Sequence, residues 1–262
     1  MDIFILVVLF IYGACFGSFY GVVGDRLSNN LSIVKPPSFC DGCKRNLRWY
    51  ELIPIFSFLL QKGRCKTCGK KLSFFYPFTE ILTGLFFVIS YLVFGFSFNF
   101  LISILISSYF VIVLVSDIKY YIIPDSVTFF FAASLIILNF VNYGFNRGIS
   151  FIIQGIILFL VMLISAILGK LLFKKECLGG GDIKLMFVTG LFLNVYNGLF
   201  SIFLASLLAL PISLIILFKD KNHMIAFGPF LLCASLIIYL TNCDILIFLE
   251  NLYSLKIIFC MI

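Results

Sequence analysis

Residues 99–125 read NFLISILISSYFVIVLVSDIKYYIIPD, and this stretch decides what kind of fold the chain can form. The uncharged, mainly apolar run from residue 99 to residue 116 is long enough for one helix to cross a lipid bilayer. The run ends at Asp117, where a short polar junction begins. A carboxylate at a membrane edge is costly unless it pairs, binds an ion or titrates. Asp117 is therefore a candidate functional residue on a predicted membrane helix.

The composition of the whole chain indicates a membrane protein. Its 262 residues are 62% hydrophobic, include 34 Phe and have a mean hydropathy of +1.16. These values exclude a soluble globular protein, and long apolar runs favour helices over the short alternating strands of a membrane barrel. We therefore predict an all-α polytopic membrane protein.

Repeated apolar runs predict about eight transmembrane helices. The run 184–196 is short and interrupted by glycine, which indicates a tilted or partly re-entrant helix. An apolar tail over residues 245–262 leaves three alternatives open: a ninth span, an interfacial helix or a frayed end. The predicted spans are residues 3–23, 78–95, 99–116, 121–141, 149–173, 184–196, 198–218 and 225–241.

The distribution of basic residues predicts the orientation. Ten of the 19 Lys and Arg lie between Arg26 and Lys71, in the one long polar segment. Because basic loops stay in the cytoplasm, residues 24–77 are predicted to form a cytoplasmic insert after the first helix, with the amino terminus outside. Alternating the sides then places Asp117 at the end of the third span and Asp182 at the start of the sixth. Both acids are thus expected at the cytoplasmic boundary.

Two acids at one membrane face suggest acid–base catalysis. When two carboxylates share one water, they cannot both ionise easily, so one keeps a proton while the other acts as a base toward that water. The three glycines before Asp182, residues 179–181, would allow unusual backbone torsions and the close approach of a substrate strand. The sequence thus predicts that Asp117 and Asp182 form a catalytic pair that attacks a peptide carbonyl.

Each acid also has a plainer interpretation. Asp117 can form an ion pair with Lys119 at the headgroups, and the glycines before Asp182 can be a flexible connector. Asp125 lies eight residues beyond Asp117, so either could be the working carboxylate; the favoured interpretation of Asp125 is a helix N-cap or a first-turn acid that interacts favourably with the helix dipole. The catalytic interpretation is favoured for Asp117 and Asp182 because both fall at the same predicted boundary.

The predicted insert carries two CxxC pairs, separated by residues 44–64. Two such pairs can fold back and offer four thiolates in a tetrahedron, which is the geometry of a structural zinc site. A cytoplasmic location disfavours disulfides, and a polar segment of this size needs a staple to fold. The alternatives are a redox pair or unpaired thiols. The predicted zinc ligands, which leave no open coordination position for catalysis, are Cys40, Cys43, Cys65 and Cys68.

In this order the motifs resemble those of the bacterial prepilin peptidases (type IV leader peptidases). The resemblance covers nearly the whole chain and rests on a series of motifs rather than on any single one. The matching segments are Gly17-Ser18-Phe19, Pro37 to Cys43, Trp49 to Pro54, Gly63 to Cys68, Tyr76-Pro77 with Glu80, Asp117 with Pro124-Asp125, Gly179 to Lys184, and Phe227 to Phe230.

The resemblance implies a bifunctional enzyme of the bacterial cytoplasmic membrane. Such enzymes remove the leader peptide of type IV prepilins or pseudopilins at the cytoplasmic face, and then methylate the new amino terminus with S-adenosyl-L-methionine. By position, Asp117 and Asp182 match the catalytic pair of the GxGD aspartic proteases, the four cysteines match the zinc ligands, and Gly63 matches a glycine associated with methylation. The implied partners are prepilin substrates and the lipid bilayer, without nucleic acid.

The predicted organisation has four parts. A first transmembrane helix (1–23) precedes the zinc-binding insert linked to methyl transfer (24–77), a helical membrane peptidase domain (78–244) and the apolar tail (245–262). Two alternatives stay open: a GxGD-type intramembrane protease without methylation, and a cation- or proton-coupled transporter that uses the two aspartates. The zinc insert counts against both alternatives.

Overall fold

The computed structural model describes residues 2–40, 42–174, 178–219 and 225–242. Within these ranges the chain forms eight α-helices, one short 3-10 turn (Trp49–Glu51) and two isolated β-bridges, so the all-α prediction is confirmed. The chain divides into two compact units, Met1–Pro124 and Asp125–Ile262. The helices are α1 (Asp2–Ser28), α2 (Phe56–Leu60), α3 (Phe75–Phe94), α4 (Phe98–Tyr120), α5 (Asp125–Phe173), α6 (Gly180–Gly190), α7 (Val195–Lys219) and α8 (Gly228–Thr241).

The central helix of the first unit is α4. Of its most apolar 18-residue stretch 72% is buried, whereas the corresponding stretch of α1 is only 17% buried. Hydroxyl groups join α4 to both neighbours: Ser90 and Ser103 share a 2.7 Å hydrogen bond, and the Ser108 hydroxyl donates to the Tyr20 hydroxyl at 2.8 Å. Such bonds stabilise helix contacts in a lipid environment that offers no polar partner.

Small residues bring α1 and α3 close together. A Cβ atom on Gly13 would lie 2.7 Å from the Cα of Gly84, and one on Gly17 would lie 2.8 Å from the carbonyl oxygen of Thr79 and 2.9 Å from the Cα of Glu80. These distances leave no room for a side chain unless a backbone moves. Close backbone approach through small residues is typical of helix packing in membranes. The packing sets Glu80 of α3 directly against α1.

In the second unit, α5 is too long for a single crossing. Its 49 residues correspond to about 74 Å of helix, more than twice the roughly 30 Å of a bilayer core. Gly144 interrupts the helix with φ 76° and ψ 178°, torsions that glycine adopts without steric penalty. The interruption falls between the predicted spans 121–141 and 149–173. Two helices are therefore joined here at one residue rather than by a loop.

The short helix α6 packs against α5 in the second unit. A Cβ atom on Gly190 would lie 2.5 Å from the Cα of Gly155, so the two backbones are in direct contact. The buried Asn139 side chain donates to the carbonyl of Leu191 at 2.6 Å and satisfies a carbonyl that the helix end leaves without a partner. With 11 residues, α6 begins and ends earlier than the predicted run 184–196, because the residues after Gly190 form a buried turn.

The described helices indicate a multi-pass membrane protein. Both α6 and α8 are short, with 11 and 14 residues. The predicted tail, residues 245–262, lies outside the described residues. Five helical stretches are long and apolar enough to cross a membrane: Ile3–Ser28, Phe75–Phe94, Phe98–Tyr120, Asp125–Phe173 and Val195–Ile216.

Candidate active site and metal centre

The segment 29–74 joins α1 to α3 and is called the insert below; its two CxxC pairs form knuckles with one shared backbone pattern. The N–H groups of Cys40 and Cys65 each donate, at 2.9 Å, to the carbonyl five residues later. Their own carbonyls accept the N–H groups of Lys44 and Gly69, at 2.8 and 2.9 Å. Lys44 and Gly69 both adopt left-handed torsions, with φ 57° and 69°. The two cysteine pairs are therefore presented by the same type of turn.

The four thiols meet at one point, as predicted. The sulfur atoms of Cys40, Cys43, Cys65 and Cys68 all lie within 4.8 Å of one another. The Cys40 and Cys68 sulfurs are 3.7 Å apart, close to the edge of about 3.8 Å that tetrahedral zinc–sulfur bonds of about 2.3 Å require. All four are free cysteines, so none of them forms a disulfide in this structure. The donor set and spacing fit a structural zinc ion.

Backbone N–H groups favour the thiolate form that binds metal. Those of Cys68 and Thr67 lower the pKa of the Cys65 thiol to about 6. In the first knuckle, the N–H groups of Cys43 and Gly42 lower the pKa of Cys40, and the Gly42 N–H lies 3.4 Å from its sulfur. The first cysteine of each pair is therefore prepared for coordination by its own turn.

A buried ion pair braces the first knuckle. The Arg45 guanidinium donates to Glu51 Oε1 at 2.8 Å, and the Arg48 N–H donates to Glu51 Oε2 at 2.8 Å. The Glu51 side chain is only 1% exposed. Its hydrogen bond with Arg45 holds the pKa of the Glu51 carboxyl below its ordinary value, and the same bond raises the pKa of Arg45. Glu51 thus ties the knuckle to the 3-10 turn.

Gly63 has a clear structural role in the second knuckle. It adopts φ 65°, its N–H donates to the Phe58 carbonyl at 2.9 Å, and its carbonyl accepts the Leu72 N–H at 2.8 Å. A Cβ atom here would lie 3.1 Å from the Phe58 ring. These contacts explain a glycine without reference to methyl transfer, so its link to methylation stays a prediction.

Asp117 lies in the last turn of α4 and is buried, with 6% of its surface exposed. Its carbonyl accepts the N–H of Tyr121 at 2.9 Å, and the left-handed torsions of Tyr121 end the helix there. Lys119 forms its ion pair with Asp25, at 2.9 Å, and the Tyr120 hydroxyl donates to the same oxygen at 2.8 Å. The plainer interpretation of Asp117 as the partner of Lys119 is therefore wrong.

Asp182 belongs to the second unit, at the third position of α6, and is 8% exposed. Its N–H donates to the Gly179 carbonyl at 3.1 Å. Gly179 has ordinary extended torsions (φ −70°, ψ 138°), so the expectation of unusual torsions is wrong at this position. A Cβ atom on this residue would lie 3.2 Å from Asp182 Oδ2, a tight contact that would require the carboxylate to shift by a few tenths of an ångström. The glycine gives the carboxylate room at the start of the helix.

Asp125 behaves as expected of a structural acid. It opens α5, where a carboxylate interacts favourably with the positive end of the helix dipole. Lys184 donates to its Oδ1 at 2.6 Å, and the two side chains are 74% and 47% exposed. An ion pair with such exposure contributes little to stability.

A cavity of about 210 Å³ lies in the first unit, between α1, the insert and the start of α3. Four charged residues line it: Asp25, Arg26, Glu51 and Glu80. The sequence alone predicts no catalytic or metal-binding role for these four residues. An ionisable residue within a membrane helix is a functional-site signal by default, and Glu80 in α3 carries that signal.

Two family models match this chain. The Bacterial Peptidase A24 N-terminal domain matches residues 11–94, which include the thiol cluster and the cavity. The Type IV leader peptidase family matches residues 104–214, which include Asp117 and Asp182.

Relatives of known name extend the similarity over most of the chain. The prepilin leader peptidase/N-methyltransferase of Bacillus subtilis (strain 168) is 34% identical over 248 residues, which are 93% of this chain and 97% of the relative. The protein of the same name from Myxococcus xanthus is 35% identical over 72% of this chain and 56% of its own length. That from Neisseria gonorrhoeae is 30% identical over 83% of this chain and 76% of its own length. No solved structure matches this chain. The helical architecture, the thiol cluster and these similarities agree: this chain belongs to the type IV leader peptidase family.

Proposed function

We propose that this chain is a membrane aspartic endopeptidase that removes the leader peptide of type IV prepilins or pseudopilins and then N-methylates the new amino terminus. The observation that carries the proposal is the near full-length similarity to a relative named for both activities. The all-helical membrane architecture and the four grouped thiols agree with it.

Asp117 and Asp182 form the catalytic pair in this proposal. Both carboxylates are buried and lie at a helix end, one in the last turn of α4 and the other in the first turn of α6. One acid keeps a proton while the other takes a proton from water, which then attacks the peptide carbonyl. The protonated acid donates to the departing amine, so the pair returns to its starting state.

The thiol cluster holds a structural zinc ion in this proposal, and S-adenosyl-L-methionine supplies the methyl group. Four cysteine ligands fill a tetrahedral zinc site, so the metal stabilises the insert and takes no part in catalysis. The insert is the polar segment nearest to the cavity in the first unit, which makes it the natural seat of the second activity.

The charge pattern and the interruption of α5 support the membrane topology that we propose. We place the amino terminus outside, the insert and both aspartates at the cytoplasmic face of the inner membrane, and the turn at Gly144 between two crossings of α5. With α6 and α8 as short membrane helices, the described chain then crosses about eight times.

The decisive experiment follows leader cleavage and methylation in one assay. Purified chain is incubated with a leader-bearing prepilin and labelled methyl donor, and product length and terminal label are measured together. We expect Asp117→Asn and Asp182→Asn each to lower the cleavage rate by about 10²–10⁴-fold, as loss of an acid–base group does. Methylation of a substrate that already lacks its leader should persist in both variants.

Asp125→Asn is the matched control, since it removes an exposed carboxylate eight residues from Asp117 and should cleave as the wild type does. Full cleavage by either active-site variant would contradict the assignment. Cleavage without labelling would indicate the protease without methylation, and a wild type that cleaves nothing would leave the transporter alternative.

A further inference from the structure

The three carboxylates of the cavity differ in how their charge is balanced. Glu51 pairs with Arg45 at 2.8 Å, and Asp25 pairs with Lys119 at 2.9 Å. Within the part of the chain that the structure describes, Glu80 forms no ion pair, although its residue is only 7% exposed. Buried charges are normally paired, because desolvation penalises an isolated one. Glu80 therefore lacks the direct ion pair that its two neighbours have, and the Arg26 guanidinium of the same cavity donates to backbone carbonyls instead.

Glu80 is held in place at the cavity wall. Its Oε2 accepts the N–H of Ile55 at 2.7 Å, and Ser18 of α1 lines the same cavity. Ile55 has φ 63°, which is strained for a β-branched residue, so the bond to Glu80 helps to fix that conformation. The carboxylate is thus oriented by a backbone N–H of the insert.

The rest of the cavity wall is largely apolar and aromatic. Phe39, Leu47, Phe58 and Tyr76 contribute to it together with the polar groups. A carboxylate beside aromatic and aliphatic side chains suits a cation that is carried on an apolar body, since such surfaces solvate the body while the acid balances the charge.

A second, more open depression adjoins the cavity. It has a volume of about 320 Å³ and shares a wall with the cavity, formed by Ser18, Val22, Arg26, Ser38 and Leu52. The cavity itself, at about 210 Å³, is smaller than the roughly 300–1,000 Å³ of sites that enclose a drug-sized molecule. It therefore fits one end of a reactant, and the adjoining depression offers space for a second molecule or for the remainder of the first.

We propose that this cavity is the methyl-transfer compartment, and that Glu80 binds the organic cation of that reaction. The inference rests on the proposed function. In the reaction, a terminal ammonium first gives a proton to water. The nitrogen lone pair then bonds to the methyl carbon of a sulfonium donor, while the carbon–sulfur bond breaks and its electrons stay on sulfur. Both reactants, the peptide ammonium and the sulfonium donor, are organic cations with apolar bodies.

Binding to the full-length chain in lipid nanodiscs tests the inference and separates the two cations. One pair of probes is a short peptide with a free amino terminus and its N-acetylated form. The other pair is sinefungin, which carries an ammonium near the position of the sulfonium, and neutral S-adenosylhomocysteine. In one of the pairs we expect the cationic member to bind about tenfold more tightly than its neutral partner, and that pair identifies the reactant.

Glu80→Gln should abolish this preference, because it removes the charge and keeps an oxygen that can accept the Ile55 N–H. Glu51→Gln is the matched control: it removes the same charge from the same cavity, but from a carboxylate that Arg45 already balances, so the preference should survive. Glu80→Asp keeps the charge and should retain the preference. This variant therefore tests the inference even where Glu80→Gln fails to fold.

The inference is overturned if neither pair shows a preference in the wild type, if the preference survives in Glu80→Gln, or if Glu80→Asp loses it as fully as Glu80→Gln. Leader cleavage by the same preparations keeps the two proposals apart. A wild type that prefers the cation but neither cleaves nor methylates refutes the proposed function, and with it the assignment to methyl transfer, and leaves only a cation site at Glu80. A wild type with both activities and no charge preference refutes the cavity assignment alone.

Discussion

The contact between α1 and α3 and the insert that joins these two helices are held together in opposite ways. At the helix contact, glycines let two backbones touch, and the fit of the two surfaces provides the stability. The insert has only short helical pieces and leaves large apolar side chains such as Trp49 and Leu60 exposed, at 78% and 77%. It is organised by repeated knuckles, a buried ion pair and four convergent thiols.

The difference shows what each environment allows. Lipid gives no hydrophobic driving force between helices, so shape and close contact decide their association. A polar segment of this size buries too little apolar surface to fold on that basis alone, so it needs a metal or another staple. One unit of the chain thus uses two separate kinds of stabilisation, and we expect that either one can be disrupted while the other stays intact.

The largest expected effect is loss of the metal from the insert. Cys40→Ser removes one of four ligands, and because metal binding and folding of such a site are coupled, we expect zinc content to fall from about one ion per chain to nearly none. The insert should then become sensitive to limited proteolysis, while the helices stay resistant. Zinc is measured by atomic spectroscopy and the cleavage sites by mass spectrometry.

Cys233→Ser is the control, since this cysteine lies in α8 of the second unit, outside the thiol cluster. It should keep its zinc and its proteolytic pattern. Unchanged zinc content and unchanged resistance of the insert in Cys40→Ser would refute the metal centre and the contrast drawn from it.

A smaller effect should follow from filling the helix contact. In Gly17→Ala the new Cβ would lie 2.8 Å from the Thr79 carbonyl, so the backbones must separate, and overpacking of this kind costs about 1–3 kcal/mol. Gly21→Ala, one turn further along α1, meets nothing closer than 3.9 Å and should be neutral or slightly stabilising. Thermal unfolding in nanodiscs measures both, with zinc content expected to stay at the wild-type level. Equal unfolding temperatures for the two variants would contradict the close contact.

These regions also differ in how much the sequence could predict. The zinc ligands are two local pairs whose spacing reflects the metal geometry, and the apolar runs give most helices, so both were predictable. The partner of Lys119 was not, because Asp25 lies 94 residues away and only the packing of α1 on α4 brings them together. The hydrogen bond between Glu80 and Ile55 could not be predicted from the sequence for the same reason, since it depends on how the insert folds back on α3.

Helix boundaries show a second limit of sequence reasoning. Hydropathy ends a span where polar residues begin, yet α1 continues to Ser28 and α3 begins at Phe75, because a helix extends into the polar region while its hydrogen bonds are satisfied. Unusual torsions were expected of the glycines before Asp182, whereas Gly179 has ordinary torsions and a side chain there would instead crowd the Asp182 carboxylate. Such distinctions depend on which residues are close in the folded chain, and the sequence alone does not give these contacts.

The smallest expected effect concerns the ion pair inside the insert. Arg45 holds the pKa of Glu51 below its ordinary value, so the stabilisation is fully present above the unfolded pKa of about 4.3 and is lost only as the pH falls through the lower folded value. In Glu51→Gln we expect the Arg48 amide, which donates to this carboxylate, to exchange its hydrogen faster by a small factor. Hydrogen exchange measures the ratio, which should be the same at pH 5 and pH 8 after correction for intrinsic rates. A ratio near one at both pH values would contradict the stabilising pair, because a carboxyl with the same pKa in the folded and unfolded chain contributes nothing to stability through its charge.

The indole of Trp49 has a practical consequence. It is the one tryptophan among all 262 residues, it stands on the 3-10 turn and most of it is open to solvent. Excitation at the red edge of protein absorption would therefore excite only this indole, so the fluorescence would report on the insert and not on the membrane helices. The fluorescence of Trp49 can therefore be used to follow metal uptake, or the binding of a substrate that lacks tryptophan, in an unlabelled chain.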